Sequence, residues 1–195
     1  MQYQLRNLQL KSQLLSLVMA LAVILALPIK ADESDRTHDD ACGNNQKAKR
    51  LAQLIINDPL QQRNELVCSR LLTKIAEGKA REMSTNGRVR HAMPNRRLIE
   101  AGYPLSRIYP RALENNVEAV AGGMKTAEEV WNIFKNSDDH RMHLLAEHEF
   151  YRLQNEIGVG FFRAPDSPHV EYWAVYVAHR EEKKVYQGEI AKSKN

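Results

Sequence analysis

The sequence predicts an α+β domain in which helices come first and a pair of antiparallel strands comes last. Apolar residues recur every three or four positions from about residue 47 to residue 145, which is the spacing of amphipathic helices. They then alternate along "EIGVGFFR" and "VEYWAVYVAHR", which is the spacing of strands, and the loop "APDSPH" separates the two runs. This order indicates helices packed on a sheet.

The first 31 residues resemble a secretory signal peptide. Arg6 and Lys11 precede a short, uncharged apolar run, and Ala31 offers a small residue at a cleavage point. The run is shorter than the roughly 20 residues of a membrane span. We therefore expect a secreted or periplasmic protein that is not integral to a membrane once processed. Because "IKA" is a poor cleavage sequence, an uncleaved N-terminal anchor remains the alternative.

The mature chain is nearly neutral. The 28 basic residues of the whole chain include Arg6, Lys11 and Lys30, and residues 1–31 hold no acidic residue, so 25 basic residues remain against 24 acidic ones. This balance does not indicate a nucleic-acid partner, which would need a basic face. About 160 mature residues suffice for one domain. We divide them into a polar segment 32–46, a domain 47–180 and a charged tail 181–195.

Cys42 and Cys68 are the two cysteines of the chain, and both lie in the exported part. An oxidising compartment favours a disulfide between them, and closing a loop of this length stabilises the fold by roughly 3 kcal/mol. Two free thiols are the alternative. A cysteine-rich zinc site is not indicated, because neither cysteine has a CxxC partner.

Helix boundaries can be predicted from caps and breakers. The first helix has Leu51, Leu54 and Ile55 on one stripe and stops at Asp58-Pro59. Asn64 is the predicted N-cap of a long second helix that carries Cys68 on its apolar face.

Three shorter helices are predicted after Asn86-Gly87. The first spans Arg96–Ala101 and is ended by Gly102. Thr126 and Glu129 form a capping box for the second, "AEEVWNIFK". Asp138 or Asp139 is the predicted cap of the third.

Four segments in order resemble one family. They are "LVCSRLLTKIAEGKAREMSTNGRVRHAM", "RLIEAGYP", "VEAVAGGMKTAEEVWNIFKNSDDHRMHLL" and "EIGVGFF" with "EYWAVYVA". Together they resemble the bacterial branch of the CAP superfamily, or SCP-like extracellular domain, which includes cysteine-rich secretory proteins, antigen 5 allergens and plant pathogenesis-related proteins. The resemblance covers about Lys47 to Ala178. It implies an α-β-α sandwich with a small, mainly antiparallel sheet, and it implies export.

In such domains two histidines and two acidic residues line a cleft, and in several members the histidines hold a divalent metal. By resemblance, His91 in "RVRHAM" matches the first histidine. His140 matches the second, because Phe134, Ser137 and Arg141 keep the family spacing around it. The resemblance therefore implies His91 and His140 as ligands of a metal such as zinc.

The two acidic residues of the family's cleft are matched less completely than the two histidines. Glu118 keeps a gapless spacing to the following helix, whereas Glu114 preserves the family's Glu-Asn pair. We favour Glu118, although Ala119 replaces the asparagine that follows it in the family. The second acidic residue falls near Ser137, which is not acidic, and Asp138 or Asp139 is its candidate substitute.

Three functions fit these residues. The leading one is an exported protein whose cleft of His91, Glu118 and His140 binds a small-molecule, lipid or peptide ligand, with or without a divalent metal. The second is a metal-assisted hydrolase with Glu118, or alternatively Glu114, as general base. The third is a non-catalytic interaction module with an inert cleft. Catalysis is the weaker expectation, since no activated nucleophile and oxyanion site are evident.

His143 is not expected to belong to this cleft. It precedes Glu147 by four residues, and this spacing predicts a pair on a helix surface.

Overall fold

The computed structural model describes residues 42–109 and 114–181. The predicted signal peptide 1–31, most of the polar segment 32–46 and the tail beyond residue 181 lie outside these ranges. Within them the helices are α1 (Gln46–Ile56), α2 (Arg70–Asn86), α3 (Pro94–Glu100), α4 (Ala127–Lys135), α5 (Asp138–Leu144) and α6 (Glu149–Arg152). The strands are β1 (Val67–Cys68), β2 (Glu118–Gly122), β3 (Glu156–Arg163) and β4 (Glu171–Ala178).

The strands form one mixed sheet in the order β1-β3-β4-β2. Strands β3 and β4 are antiparallel over their full length, with Glu156 opposite Ala178 and Arg163 opposite Glu171. Strand β2 pairs antiparallel with β4, and the short β1 pairs parallel with β3. The sheet and its helices confirm the predicted α+β class and the predicted C-terminal strand pair.

Helices pack on both faces of the sheet. Alternate residues of a strand point to opposite faces, so each face contributes its own buried cluster. One cluster joins the sheet to α1 and α4 through Ala119, Ile157, Val159, Trp173 and Val175. The other joins it to α2 and α3 through Val120, Tyr172, Ala174 and Tyr176. Strand β4 is consequently buried along its whole length.

Two glycines let α2 lie directly on β3. A Cβ atom built on Gly158 would lie 2.1 Å from the backbone nitrogen of Thr73, and one on Gly160 would lie 2.2 Å from the backbone carbon of Ala76. Neither distance leaves room for a side chain. The helix and the strand therefore approach at backbone distance, which fixes the position of the first half of α2 on the sheet.

The predicted disulfide between Cys42 and Cys68 is present. The same segment is held by the backbone, because the amide of Val159 donates to the carbonyl of Cys42 at 2.7 Å. Next to it, Asn45 caps α1 by accepting from the amide of Ala48. Cys42 is thus linked to β1 by the disulfide and to β3 by a backbone hydrogen bond.

The predicted start of the long helix was wrong. Asn64 does not cap it; Val67 and Cys68 instead form β1, and α2 begins at Arg70 with Ser69 as its N-cap. The amide of Ser69 donates to the carbonyl of Ile157 in β3 at 2.8 Å. This long-range pairing outweighs the local capping signal of Asn64.

The later helices agree more closely with prediction. The capping box of Thr126 and Glu129 is present at the start of α4. The predicted cap of α5 was wrong, because Ser137 occupies the N-cap position. Asp138 and Asp139 lie in the first turn, where their charges favour the positive end of the helix dipole.

Candidate functional site

The candidate site begins with His91, which lies in the loop between α2 and α3. Nearby in this loop, the side chain of Val89 packs against Gly122 at the end of β2. His91 Nδ1 lies 2.8 Å from Oε1 of Glu118, the first residue of β2. Glu114 lies four residues earlier, in the loop that leads into β2.

Glu118 is a buried carboxylate with both oxygens engaged. Its side chain is 0% exposed, whereas that of His91 is 42% exposed. The hydroxyl of Tyr176 donates to the second oxygen, Oε2, in a short hydrogen bond. Tyr176 lies directly opposite Glu118 in the pairing of β2 with β4. Burial, and next the Glu118 carboxylate, raise the pKa of Tyr176, so its hydroxyl remains a donor.

Asn115 fixes the backbone at this point. Its Oδ1 accepts from the amide of Glu118 at 3.0 Å, and its Nδ2 donates to the carbonyl of Glu118 at 3.0 Å. Asn115 Nδ2 also lies 3.1 Å from Nδ1 of His91.

The carboxylate of Glu118 orients the ring of His91. A carboxylate oxygen accepts hydrogen bonds, and Nδ1 of His91 lies within hydrogen-bond distance of Oε1. Tyr176 donates to the other oxygen of the same carboxylate. The chain of Tyr176, Glu118 and His91 therefore fixes the orientation of a partly exposed imidazole.

His140 lies on α5 and is half-buried. Its Nδ1 lies 2.9 Å from Oγ of Ser137, and its ring packs at 4.8 Å from the ring of Phe134. Ser137, near which the resemblance implies an acidic residue, thus contacts this histidine.

His91 and His140 are close enough to interact electrostatically, although 49 positions separate them in the sequence. The pKa of His140 is lowered mainly by burial and, to a smaller extent, by the neighbouring His91. Asp139 has the opposite effect and raises the pKa, but it is the smallest of the three influences. His140 is consequently neutral at neutral pH. The site brings His140 near His91, whose ring is hydrogen-bonded to the buried carboxylate of Glu118.

The predicted surface pair of His143 with Glu147 was wrong. His143 is buried, and its Nε2 lies 3.1 Å from Oε1 of Gln154. Glu147 instead accepts from Arg141 at 2.9 Å, because α5 ends at Leu144, before Glu147. Burial, and next the charge of Arg63, lower the pKa of His143 to about 3.

Two contributors to the site, Tyr176 and Asn115, were not expected from the sequence. The position of Tyr176 follows from the register of β2 on β4, which no local pattern reveals. The resemblance drew attention to Asn115 only as the partner of Glu114 in a Glu-Asn pair. In the structure its side chain contacts the backbone of Glu118 and the ring of His91.

The donor set is small for a metal ion. Among residues 42–109 and 114–181, no three histidine, cysteine, aspartate or glutamate side chains converge in a way that could hold one. Metal sites in proteins usually combine three or four protein ligands. His91 and His140 supply two nitrogens, while the carboxylate of Glu118 is already hydrogen-bonded at both oxygens.

Comparisons with known proteins bear on the fold. No family model matches the chain, and no curated protein matches it. A solved structure, that of an outer surface protein from Borrelia burgdorferi, is similar with a TM-score of 0.54 and 20% sequence identity. The match covers 70% of this chain and 95% of that one. At this identity the similarity supports the α+β fold alone. In the part of this chain that the structure describes, no helix has the length and hydropathy to cross a membrane.

Proposed function

We propose that this chain is an exported ligand-binding protein of the CAP type and that His91, Glu118 and His140 form its binding site. The observation that carries the proposal is that His91 and His140, from distant segments, lie close enough to interact, while His91 is hydrogen-bonded to the buried carboxylate of Glu118. Burying a carboxylate costs free energy unless hydrogen bonds compensate it. A buried carboxylate that orients a histidine ring is typical of functional sites.

Membership of the CAP superfamily rests on the sequence resemblance. Helices on both faces of a small sheet, with two antiparallel pairings, agree with the sandwich that the resemblance implies. Export rests on the signal-like N-terminus and on the disulfide, which is typical of oxidising compartments. The solved structure of similar fold is itself described as an outer surface protein.

Ligand binding is favoured over hydrolysis by the contacts of Glu118. A general base needs a free oxygen within reach of a water or substrate proton. The oxygens of Glu118 are bonded to His91 and Tyr176, and its side chain is fully buried. Glu118 therefore orients His91 rather than activating water.

A tightly held metal is not part of the proposal, because the described donor set does not fit one. Two imidazoles without a third protein ligand bind zinc weakly. Titration of the mature protein with zinc should give no tight binding, and His91→Ala/His140→Ala should remove whatever weak binding is seen.

The binding proposal can be tested by nuclear magnetic resonance on the mature chain. Soluble fragments of varied chemistry would be added, and the ring signals of His91 and His140 followed. Fragments that bind should shift both ring signals in the wild type, and backbone amide shifts should show that they lose affinity in His91→Ala/His140→Ala. The control variant His148→Ala/His169→Ala changes two histidines outside the site and should bind as the wild type does.

A different outcome would favour the inert interaction module. In that case fragments would bind the wild type and the His91→Ala/His140→Ala variant alike, and the substitutions would change stability alone. The backbone spectrum of each variant reports whether it is folded, and His91→Gln/His140→Asn serves as the conservative replacement if the alanine variant unfolds.

A further inference from the structure

A second concave surface lies between α2 and α3 and shares no residue with the His91–His140 site. Its volume is about 310 Å³, and it is lined by Leu71, Lys74, Ile75, Gly78, Arg97 and Ala101. Leu71 lies three and four residues before Lys74 and Ile75, and Gly78 lies four and three residues after them, so the four α2 residues form one stripe of the helix. Arg97 and Ala101, four residues apart, form the facing wall. We call this surface the α2–α3 groove.

Gly78 keeps the groove open. It lies in the middle of α2, where glycine lowers helix stability relative to alanine. No packing contact requires a glycine here, because a Cβ atom at Gly78 would meet nothing within 4 Å. Gly158 and Gly160 differ, since α2 itself fills the space above them. The missing side chain at Gly78 therefore leaves room beside Leu71 and Ile75.

The charges in the groove are cationic. Lys74 is exposed, and no residue in the described ranges pairs with it. Arg97 pairs with Glu82, but Glu82 also pairs with the buried Lys79 at 3.3 Å, so two cations share that carboxylate.

We propose that the α2–α3 groove binds a small organic carboxylate with a compact apolar body. The carboxylate would interact with Lys74 and with the exposed part of the Arg97 guanidinium through charge-assisted hydrogen bonds. The apolar body would lie against Leu71, Ile75 and Ala101, in the space left by Gly78. A volume of about 310 Å³ is at the small end for ligand sites, so the groove fits an aryl or short alkyl acid.

The test uses phenylacetate as the probe, with its uncharged analogue phenylacetamide and the cation phenethylamine as comparisons. Each is titrated into the mature protein while the backbone amide signals are followed. Phenylacetate should shift the amides of Gly78 and Ala101 in a saturable way. Phenylacetamide should bind about tenfold more weakly, and phenethylamine more weakly still, because each lacks the anionic group.

Gly78→Leu is the decisive variant, because its Cβ atom meets nothing within 4 Å, its side chain adds bulk at the wall of the groove, and leucine raises helix propensity. It should stay folded and lose phenylacetate binding. Thr85→Leu places the same side chain on an exposed part of α2 outside the groove and should bind as the wild type does. Lys74→Gln should weaken binding about tenfold.

Three results would overturn the inference. One is equal binding of phenylacetate and phenylacetamide, which would remove the role of the cations. Another is unchanged binding in Gly78→Leu. The third is amide shifts that never saturate or that spread over the surface, which would mean that phenylacetate has no site here. All three leave the proposal for His91 and His140 unaffected, because their ring signals are measured separately.

Discussion

Val170 adopts a left-handed backbone conformation, with φ of 62°, in the loop between β3 and β4. A β-branched residue is strained in this region, while glycine adopts it freely. We therefore predict that Val170→Gly increases the free energy of unfolding by about 1 kcal/mol. Urea denaturation measures the change.

Val170→Ala is the matched control for this prediction. Alanine removes the β-branch but keeps a Cβ atom, so it should recover only part of the gain. A Val170→Gly protein that is no more stable than the wild type would show that the loop holds Val170 without strain.

His143 should make stability depend on pH. Its pKa is about 3 in the folded protein and 6.5 in the unfolded chain, because burial and Arg63 disfavour its charged form. Between about pH 6.5 and pH 3 the unfolded chain takes up a proton that the folded protein does not. The free energy of unfolding should therefore fall as the pH falls through this window, by at most about 1.4 kcal/mol per pH unit from this group.

Comparison with His143→Gln isolates that contribution. Urea denaturation at pH 7, 6 and 5 should give a smaller loss of stability for the variant than for the wild type, whatever their stabilities at pH 7. In the wild type, the ring signals of His143 should not titrate between pH 8 and pH 5. Parallel pH profiles for the two proteins would contradict the interpretation.

At the scale of elements, two glycines at α2 have opposite surroundings. Gly160 of β3 lies directly beneath the helix, whereas Gly78 belongs to the helix and is exposed. We predict opposite effects of adding one methyl group at these two positions. Gly160→Ala forces its Cβ against the backbone of Ala76 and should destabilise the protein by about 1–3 kcal/mol or more. Gly78→Ala meets no atom and should stabilise it by about 1 kcal/mol.

The two variants control each other, since each changes glycine to alanine near the same helix. Thermal unfolding should order them as Gly78→Ala, wild type, Gly160→Ala. If both lower the melting temperature, α2 is not free to accept a side chain at Gly78. If neither lowers it, α2 does not lie on β3 as closely as described.

Local patterns predicted some elements and missed others for identifiable reasons. The strands β3 and β4 were predicted because alternation over eight residues is a strong signal, and α4 was predicted from its capping box. Strand β1 was missed because Val67 and Cys68 are extended only through pairing with β3. His143 was misplaced because the i, i+4 rule assumes a continuous helix, and α5 ends between His143 and Glu147.

At the scale of the whole molecule, the His91–His140 site depends on the assembly of four separate segments. His91 follows α2, Glu118 begins β2, Tyr176 lies in β4 and His140 lies in α5. The resemblance indicated which histidines to examine. The hydrogen bond from Tyr176 to Glu118 could not be predicted, because it depends on the register of β2 against β4.

The disulfide should contribute most of its stability through the unfolded chain. It joins Cys42 and Cys68 across a sequence separation of 26, and closing a loop of that length removes entropy worth about 3 kcal/mol from the unfolded state. We predict that Cys42→Ser/Cys68→Ser lowers the free energy of unfolding by about this amount in urea. The ring signals of His91 and His140 should stay unchanged, because the hydrogen bonds that orient the two rings do not involve either cysteine. Mass spectrometry of unreduced peptides from exported protein should show the two cysteines linked. Free thiols there, or a double-serine variant as stable as the wild type, would mean that the backbone bond from Val159 to Cys42 suffices to hold the start of the domain.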